Sequence, residues 1–205
     1  MLQMSGTEGY AEEAEALLVQ YESVAFADIH RVVLHLIPRA PCDVLDIGAG
    51  TGRDAAALAA LGHRVTAVEP VAVLREGAMA LHAGAAVEWR EDSLPDLAGL
   101  TARGAAFDLI LLSAVWMHLD AAERRRAMPN VASLLRPGGV MILSLRHGPV
   151  PQGRRMFAVP AEETIALAEA EGLDTVLNLR TASILPGKAD VDWTRLAFVK
   201  RRAGA

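Results

Sequence analysis

Residues 42–70 read CDVLDIGAGTGRDAAALAALGHRVTAVEP. Gly48, Gly50 and Gly52 alternate with Ala49 and Thr51, between an acid at Asp46 and a cation at Arg53. A second acid, Glu69, stands 21 positions after Gly48 and is followed by Pro70. Glycines so spaced let the chain turn sharply and let a ligand approach its backbone. A helix starting just after them offers free N–H groups to an anion. A dinucleotide site wants G-x-G-x-x-G, but the third slot here is Arg53. The phosphate-clamping pattern G-x-x-x-x-G-K-[ST] is absent as well. The loop therefore suits a smaller anion, such as a carboxylate. Arg53 either binds that carboxylate or lies on the surface at the first helical position. Glu69 can accept hydrogen bonds from both hydroxyls of an unphosphorylated ribose. Asp46 can accept from a cationic amine, or it holds the loop.

Further along, REDSLPDL brings Asp92, Ser93 and Leu94 to the end of another apolar run. Asp92 is placed to accept the exocyclic amine of adenine, with Leu94 packing on the ring. It can also cap a short helix over 93–99, and the two roles are compatible. A base that takes a proton near such a site must come from few candidates. These are His118, His147 and His30. His118 serves as base or as a packing imidazole. His147 lies in LRHGPVPQGRRMF, a Gly/Pro-rich loop that is basic through Arg146, Arg154 and Arg155. Arg146 and His147 read as a clamp for an acidic substrate. Arg154 and Arg155 read as solvated and paired to surface acids.

The elements that must position these residues alternate. Strand-like runs fall at 43–47, 64–69, 86–91, 107–113 and 138–146, with helical runs at 53–62, 71–84, 121–135 and 161–173. Pro129 should kink or restart the helix it interrupts. Two last strands, 174–182 and 192–201, leave no room for a crossover helix, so they pair antiparallel. Alternation predicts an α/β fold: a doubly wound, mainly parallel seven-stranded sheet with an antiparallel C-terminal strand. Ahead of it, 11–20 and 26–37 read as two helices. AERRRAM (122–128) reads as a solvated helix face.

Composition limits the alternatives. The chain has 205 residues, 52% of them hydrophobic, which suits one domain with a sizeable core. Its net charge of -5 gives no global basic excess, so nucleic acid is not expected as a partner. One cysteine, Cys42, allows no internal disulfide, and no metal-ligand set is legible. The N-terminus lacks a basic segment followed by an apolar core, and no apolar run approaches the ~18 residues of a membrane span. The expectation is a cytoplasmic protein without membrane contact, a monomer or homodimer.

VLDIGAGTG resembles the first motif of class I S-adenosylmethionine-dependent methyltransferases. VEP, EDSLPDL, FDLILLSAVWMHL and LLRPGGVMILSLR resemble the later motifs in their usual order, over roughly 40–201. The resemblance implies a Rossmann-like domain at 40–205, with N-terminal helices at 1–39 forming a lid in which Tyr21 and His30 border the substrate. It implies S-adenosylmethionine as cofactor and S-adenosylhomocysteine as product. Asp46, Gly48, Ala49, Gly50, Gly52 and Arg53 would meet the methionine moiety. Glu69 and Pro70 would hold the ribose, and Asp92, Ser93 and Leu94 would frame the adenine. Ser113, Ala114 and Trp116 would border the transfer cleft. The implied acceptor is an O or N atom of a small molecule, an acidic one if the basic loop clamps it. A protein side chain as acceptor, a cofactor-binding sensor without transfer and an NAD-dependent dehydrogenase are the alternatives. The G-x-G-x-G spacing speaks against the last.

Overall fold

The computed structural model describes residues 6–185 and 189–202. Residues 1–5 of the expected lid, and 186–188 and 203–205 of the expected main domain, lie outside that range. Seven strands form one sheet: β1 (Asp43–Ile47), β2 (Arg64–Val68), β3 (Val87–Arg90), β4 (Phe107–Leu112), β5 (Leu135–His147), β6 (Leu173–Ala182) and β7 (Asp192–Lys200). Their order is β3-β2-β1-β4-β5-β7-β6. The first five run parallel, and β7 is antiparallel to both β5 and β6. The helices are α1 (Ala14–Glu22), α2 (Phe26–Ile29), α3 (Arg53–Ala60), α4 (Ala72–Leu81), α5 (Ala98–Thr101), α6 (Ala121–Leu134) and α7 (Ala161–Ala170).

The central strands are mostly apolar because both sheet faces are covered. On one face Leu45, Ile47, Ile110 and Leu143 pack with Leu97, Met128, Val131 and Ala168. On the other, Val44, Leu109, Ile142 and Ala197 pack with Ala55, Leu58, Phe26 and Val33. A separate small cluster, Ala14, Leu17 and Leu74, joins α1 to α4.

The structure departs from the sequence expectations in three places. The run 26–37 is not one helix: α2 makes a single turn, and after further turns a 3₁₀ turn spans Leu34–Leu36. There His30 is buried against α3 and Val33 sinks into the core, so tertiary packing overrides helical periodicity. Helix α6 runs in one piece through Pro129, begun by a capping box between Asp120 and Glu123. Its interior proline costs about 3 kcal/mol. Burial of Met128, Val131, Ala132 and Leu134 around it offsets that cost. The charge run on α6 is also not wholly solvated, for Arg124 is buried and pairs with Glu163 at 2.8 Å.

Candidate functional site

In an open α/β sheet, ligands sit beyond the carboxyl ends of the strands. A cavity of about 420 Å³ lies there. It is lined by residues following β1, β2 and β4, by residues of β5 and β7, and by the N-terminal segment.

The glycine loop follows β1. Gly48, Ala49, Gly50, Thr51 and Arg53 line the cavity. At Gly50, φ is +57° and an added Cβ would meet nothing within 4 Å, so this backbone is open to a ligand. Gly52 does not line the cavity. It sits at φ +84° just before α3, where a Cβ would stand 2.8 Å from Trp89, so its glycine serves the turn and the packing behind it.

Asp46 is 1% exposed, and its Oδ2 has no hydrogen-bond partner. Burial holds its carboxyl well above the usual carboxylate range, and the negative charge of Asp54 adds to the effect. Glu69 is also buried and also raised, chiefly by burial. Its carboxylate ties two turns together, accepting from Gly50 N at 2.8 Å and from Val71 N at 2.9 Å. Pro70 stands beside it on the cavity wall.

Asp92, Ser93 and Leu94 reach the same cavity from beyond β3. The Asp92 carboxylate accepts from Ser93 N, Gly99 N and Leu100 N at 2.9–3.1 Å. It therefore caps α5, which begins at Ala98 and not at 93. Ser113 and Ala114 line the cavity after β4. Ala114 lies in the left-handed region, at φ +60°, and its N–H donates to Ser144 Oγ at 2.8 Å. A non-glycine residue held there stores strain, as functional loops often do. Trp116 is turned away. It is 1% exposed and packs in the core, so it borders no cleft.

The candidate bases separate. His118 lines the cavity. Its Nδ1 lies 2.8 Å from the Arg155 carbonyl and its Nε2 lies 3.0 Å from the Tyr10 hydroxyl. A carbonyl only accepts, so Nδ1 carries the hydrogen, and Nε2 of the neutral ring accepts from Tyr10. Burial lowers the His118 pKa below its ordinary value. His147 does not reach the cavity. β5 extends through it, and the two-residue period sends Arg146 and His147 to opposite faces. His147 Nε2 instead meets Thr194 Oγ1 at 2.8 Å, while Arg146 lines the cavity and donates to the Pro149 carbonyl. His30 is likewise not on the cavity wall. Its Nε2 lies 2.7 Å from Asp54 Oδ2, inside the protein.

Arg53 is neither a free anion binder nor a surface residue. It donates to Asp54 Oδ1 and to the Tyr21 carbonyl, at 2.8 and 2.9 Å. Asp54 was not legible as a site residue. Burial pushes its pKa up, but His30 and Arg53 outweigh that and lower it to about 2. The N-terminal segment brings Tyr10, Glu13, Leu17 and Tyr21 over the cavity. Arg154 clasps it, with its guanidinium 4.0 Å from the Tyr10 ring centroid and 2.7 Å from Glu13 Oε2. That arginine is paired, as expected, but buried and not solvated. Ser144, Trp193 and Arg195 also line the cavity. Sequence reasoning missed them, although an arginine inside the apolar strand TRLAF is a visible signal.

Residues 44–139 match the family described as a methyltransferase domain. An uncharacterized methyltransferase of Geobacillus kaustophilus is 30% identical over 137 residues, 67% of this chain and 61% of the relative. A ubiquinone biosynthesis O-methyltransferase of Methylocella silvestris is 38% identical over 103 residues, 48% of this chain and 37% of the relative. Among solved structures, the 1,6-didemethyltoxoflavin-N1-methyltransferase of Burkholderia thailandensis aligns with a TM-score of 0.69 at 22% identity. That alignment covers 98% of this chain and 92% of the other. Residues 44–139 are thus a methyltransferase domain by sequence, within a chain that has the fold of a solved methyltransferase. The chain spans 61% of the first of these curated relatives' own length and 37% of the second's.

Proposed function

We propose that the protein transfers a methyl group from S-adenosylmethionine to an O or N atom of a small molecule enclosed in the cavity. The observation that carries this is the unpartnered Asp46 oxygen beside the open Gly50 backbone. A buried carboxylate oxygen without a donor calls for one, and a cationic α-ammonium group supplies it. The remaining residues fit the same ligand. Glu69 keeps lone pairs that would meet a ribose diol, Asp92 and Leu94 would border an adenine, and Ile47, Val68 and Leu74 supply apolar walls. The bound cofactor supplies an electrophilic methyl on a sulfonium that departs as a neutral thioether.

The chain's own residues do the rest. Tyr10, Leu17 and Tyr21 cover the cavity and exclude water. His118 Nε2, kept unprotonated chiefly by burial and left open as an acceptor because Nδ1 carries the hydrogen bonded to the Arg155 carbonyl, takes the acceptor's proton. Tyr10 occupies that nitrogen until an acceptor hydroxyl or amine displaces it. A cavity roofed by chain on this scale favours a small acceptor over a protein side chain.

Calorimetric titration with S-adenosylhomocysteine and with NAD tests the reading. Micromolar binding of the first and none of the second is expected. NAD binding without S-adenosylhomocysteine binding would overturn it.

A further inference from the structure

Arg195 lies on β7, is 8% exposed, and lines the cavity. Its guanidinium has no hydrogen bond or ion pair among the described residues. Its neighbours are the Trp193 ring, 5.2 Å from its guanidinium carbon, and at longer range Asp54, which attracts it, and Arg53, which repels it. Asp54 cannot neutralise it directly, because one Asp54 oxygen is engaged by His30 and the other by Arg53. A buried cation left without a partner is costly, and a site retains one when a ligand completes it.

The register of β5 and β7 defines what surrounds it. Ser144 pairs with Arg195 and Arg146 pairs with Trp193, so by the two-residue period all four side chains share one face. All four line the cavity. Two guanidinium groups, an indole and a hydroxyl thus form one patch. It lies in the half built by β5 and β7, while Asp46, Gly50 and Glu69 occupy the half built by β1 and β2.

We propose that this patch is the acceptor subsite and that Arg195 anchors an anionic group of the acceptor, of the carboxylate class. The inference rests on the methyl-transfer reading for the word acceptor. Arg195 and Arg146 supply planar forks that match a carboxylate, and Trp193 supplies a flat apolar wall for the body that carries it. Ser144 is already engaged by Ala114 N, so it ties the acceptor wall to the loop after β4.

The test compares wild type with Arg195→Met and Arg195→Lys, each loaded with S-adenosylhomocysteine. The probes are small aromatic and aliphatic carboxylic acids, with their uncharged primary amides as controls, read by calorimetry. Wild type should bind at least one acid tenfold or more tighter than its amide. Arg195→Met should abolish that preference and Arg195→Lys should weaken it, while affinity for S-adenosylhomocysteine stays within twofold. Arg195→Met should melt no lower than wild type when empty, because it removes an unpaired buried charge.

The cofactor also carries a carboxylate, and 5′-methylthioadenosine, which lacks one, separates the two sources. If Arg195→Met weakens S-adenosylhomocysteine but not 5′-methylthioadenosine, Arg195 holds the cofactor, and the acceptor assignment is overturned. The proposal also falls if wild type shows no acid preference, or if Arg195→Met keeps it. Should the protein bind no S-adenosylhomocysteine at all, the methyl-transfer reading fails, and the acid–amide comparison on the empty protein still decides the anion site.

Discussion

The hydroxyl of Tyr10 lies 3.0 Å from Nε2 of His118, joining residues 108 positions apart. The contact links the cover of the cavity to its candidate base. Arg154 backs Tyr10 from one side and the Arg155 carbonyl fixes the far nitrogen of His118, so two neighbouring residues of one loop hold both partners.

That arrangement predicts a pH profile. A base acts unprotonated, and burial lowers the His118 pKa below its ordinary 6.5. Transfer should rise with pH through an apparent value under 6.5 and then level. His118→Asn should lose about 100-fold in kcat and flatten that limb, with cofactor affinity unchanged. A variant that keeps the wild-type profile removes His118 from the chemistry.

Arg154→Ala should loosen the cover without touching the glycine loop. It removes the cation–π contact to Tyr10 and the ion pair to Glu13. Amide exchange over residues 7–13 should rise about tenfold, the loss of roughly one such contact, and S-adenosylhomocysteine should dissociate faster. Unchanged exchange would mean that the clasp contributes nothing.

Asp46 separates stability from binding. Its folded pKa is raised, so ionising it disfavours the empty fold, increasingly so as pH climbs above the unfolded value of about 3.9. Asp46→Asn should therefore raise the Tm of the empty protein at pH 8 and change it little near pH 3. The same variant should weaken S-adenosylmethionine by about tenfold or more, through loss of a charge-assisted bond. A lower Tm at pH 8 would show that the backbone bond from Ala55 already satisfies the Asp46 carboxylate.

Asp54, bonded to His30, shifts with the opposite sign. The folded pKa of Asp54 is depressed to about 2, so its contribution is present above about 3.9 and is lost as pH falls through about 2. His30→Ala breaks a buried pair and should cost about 3 kcal/mol at pH 7, measured by urea unfolding. A loss below about 1 kcal/mol would mean that Arg53 alone satisfies Asp54.

The mainly parallel sheet and its antiparallel closing pair were legible because the strand runs alternate with helices and the last two cannot enclose a crossover, whereas the place of β7 between β5 and β6 was not. That the glycine loop, Glu69 and the Asp92 segment stand at strand ends was legible because strand ends are marked by local pattern. What the sequence concealed depends on direction rather than type. Trp116 follows β4 but turns inward, and His147 leaves the cavity because β5 extends one residue beyond Arg146. Asp54 and Arg195 acquire meaning only from partners brought in by long-range packing, or from the lack of them.

The most direct measurement is transfer of a labelled methyl from S-adenosylmethionine into host extract separated into small-molecule and polymer fractions. A Glu69→Ala, Asp92→Ala variant serves as blank, since it removes both acids that border the expected nucleoside. The account predicts label in the small-molecule fraction, retained on anion exchange, and none with the variant. Label confined to the polymer fraction, or equal label from both proteins, would contradict it.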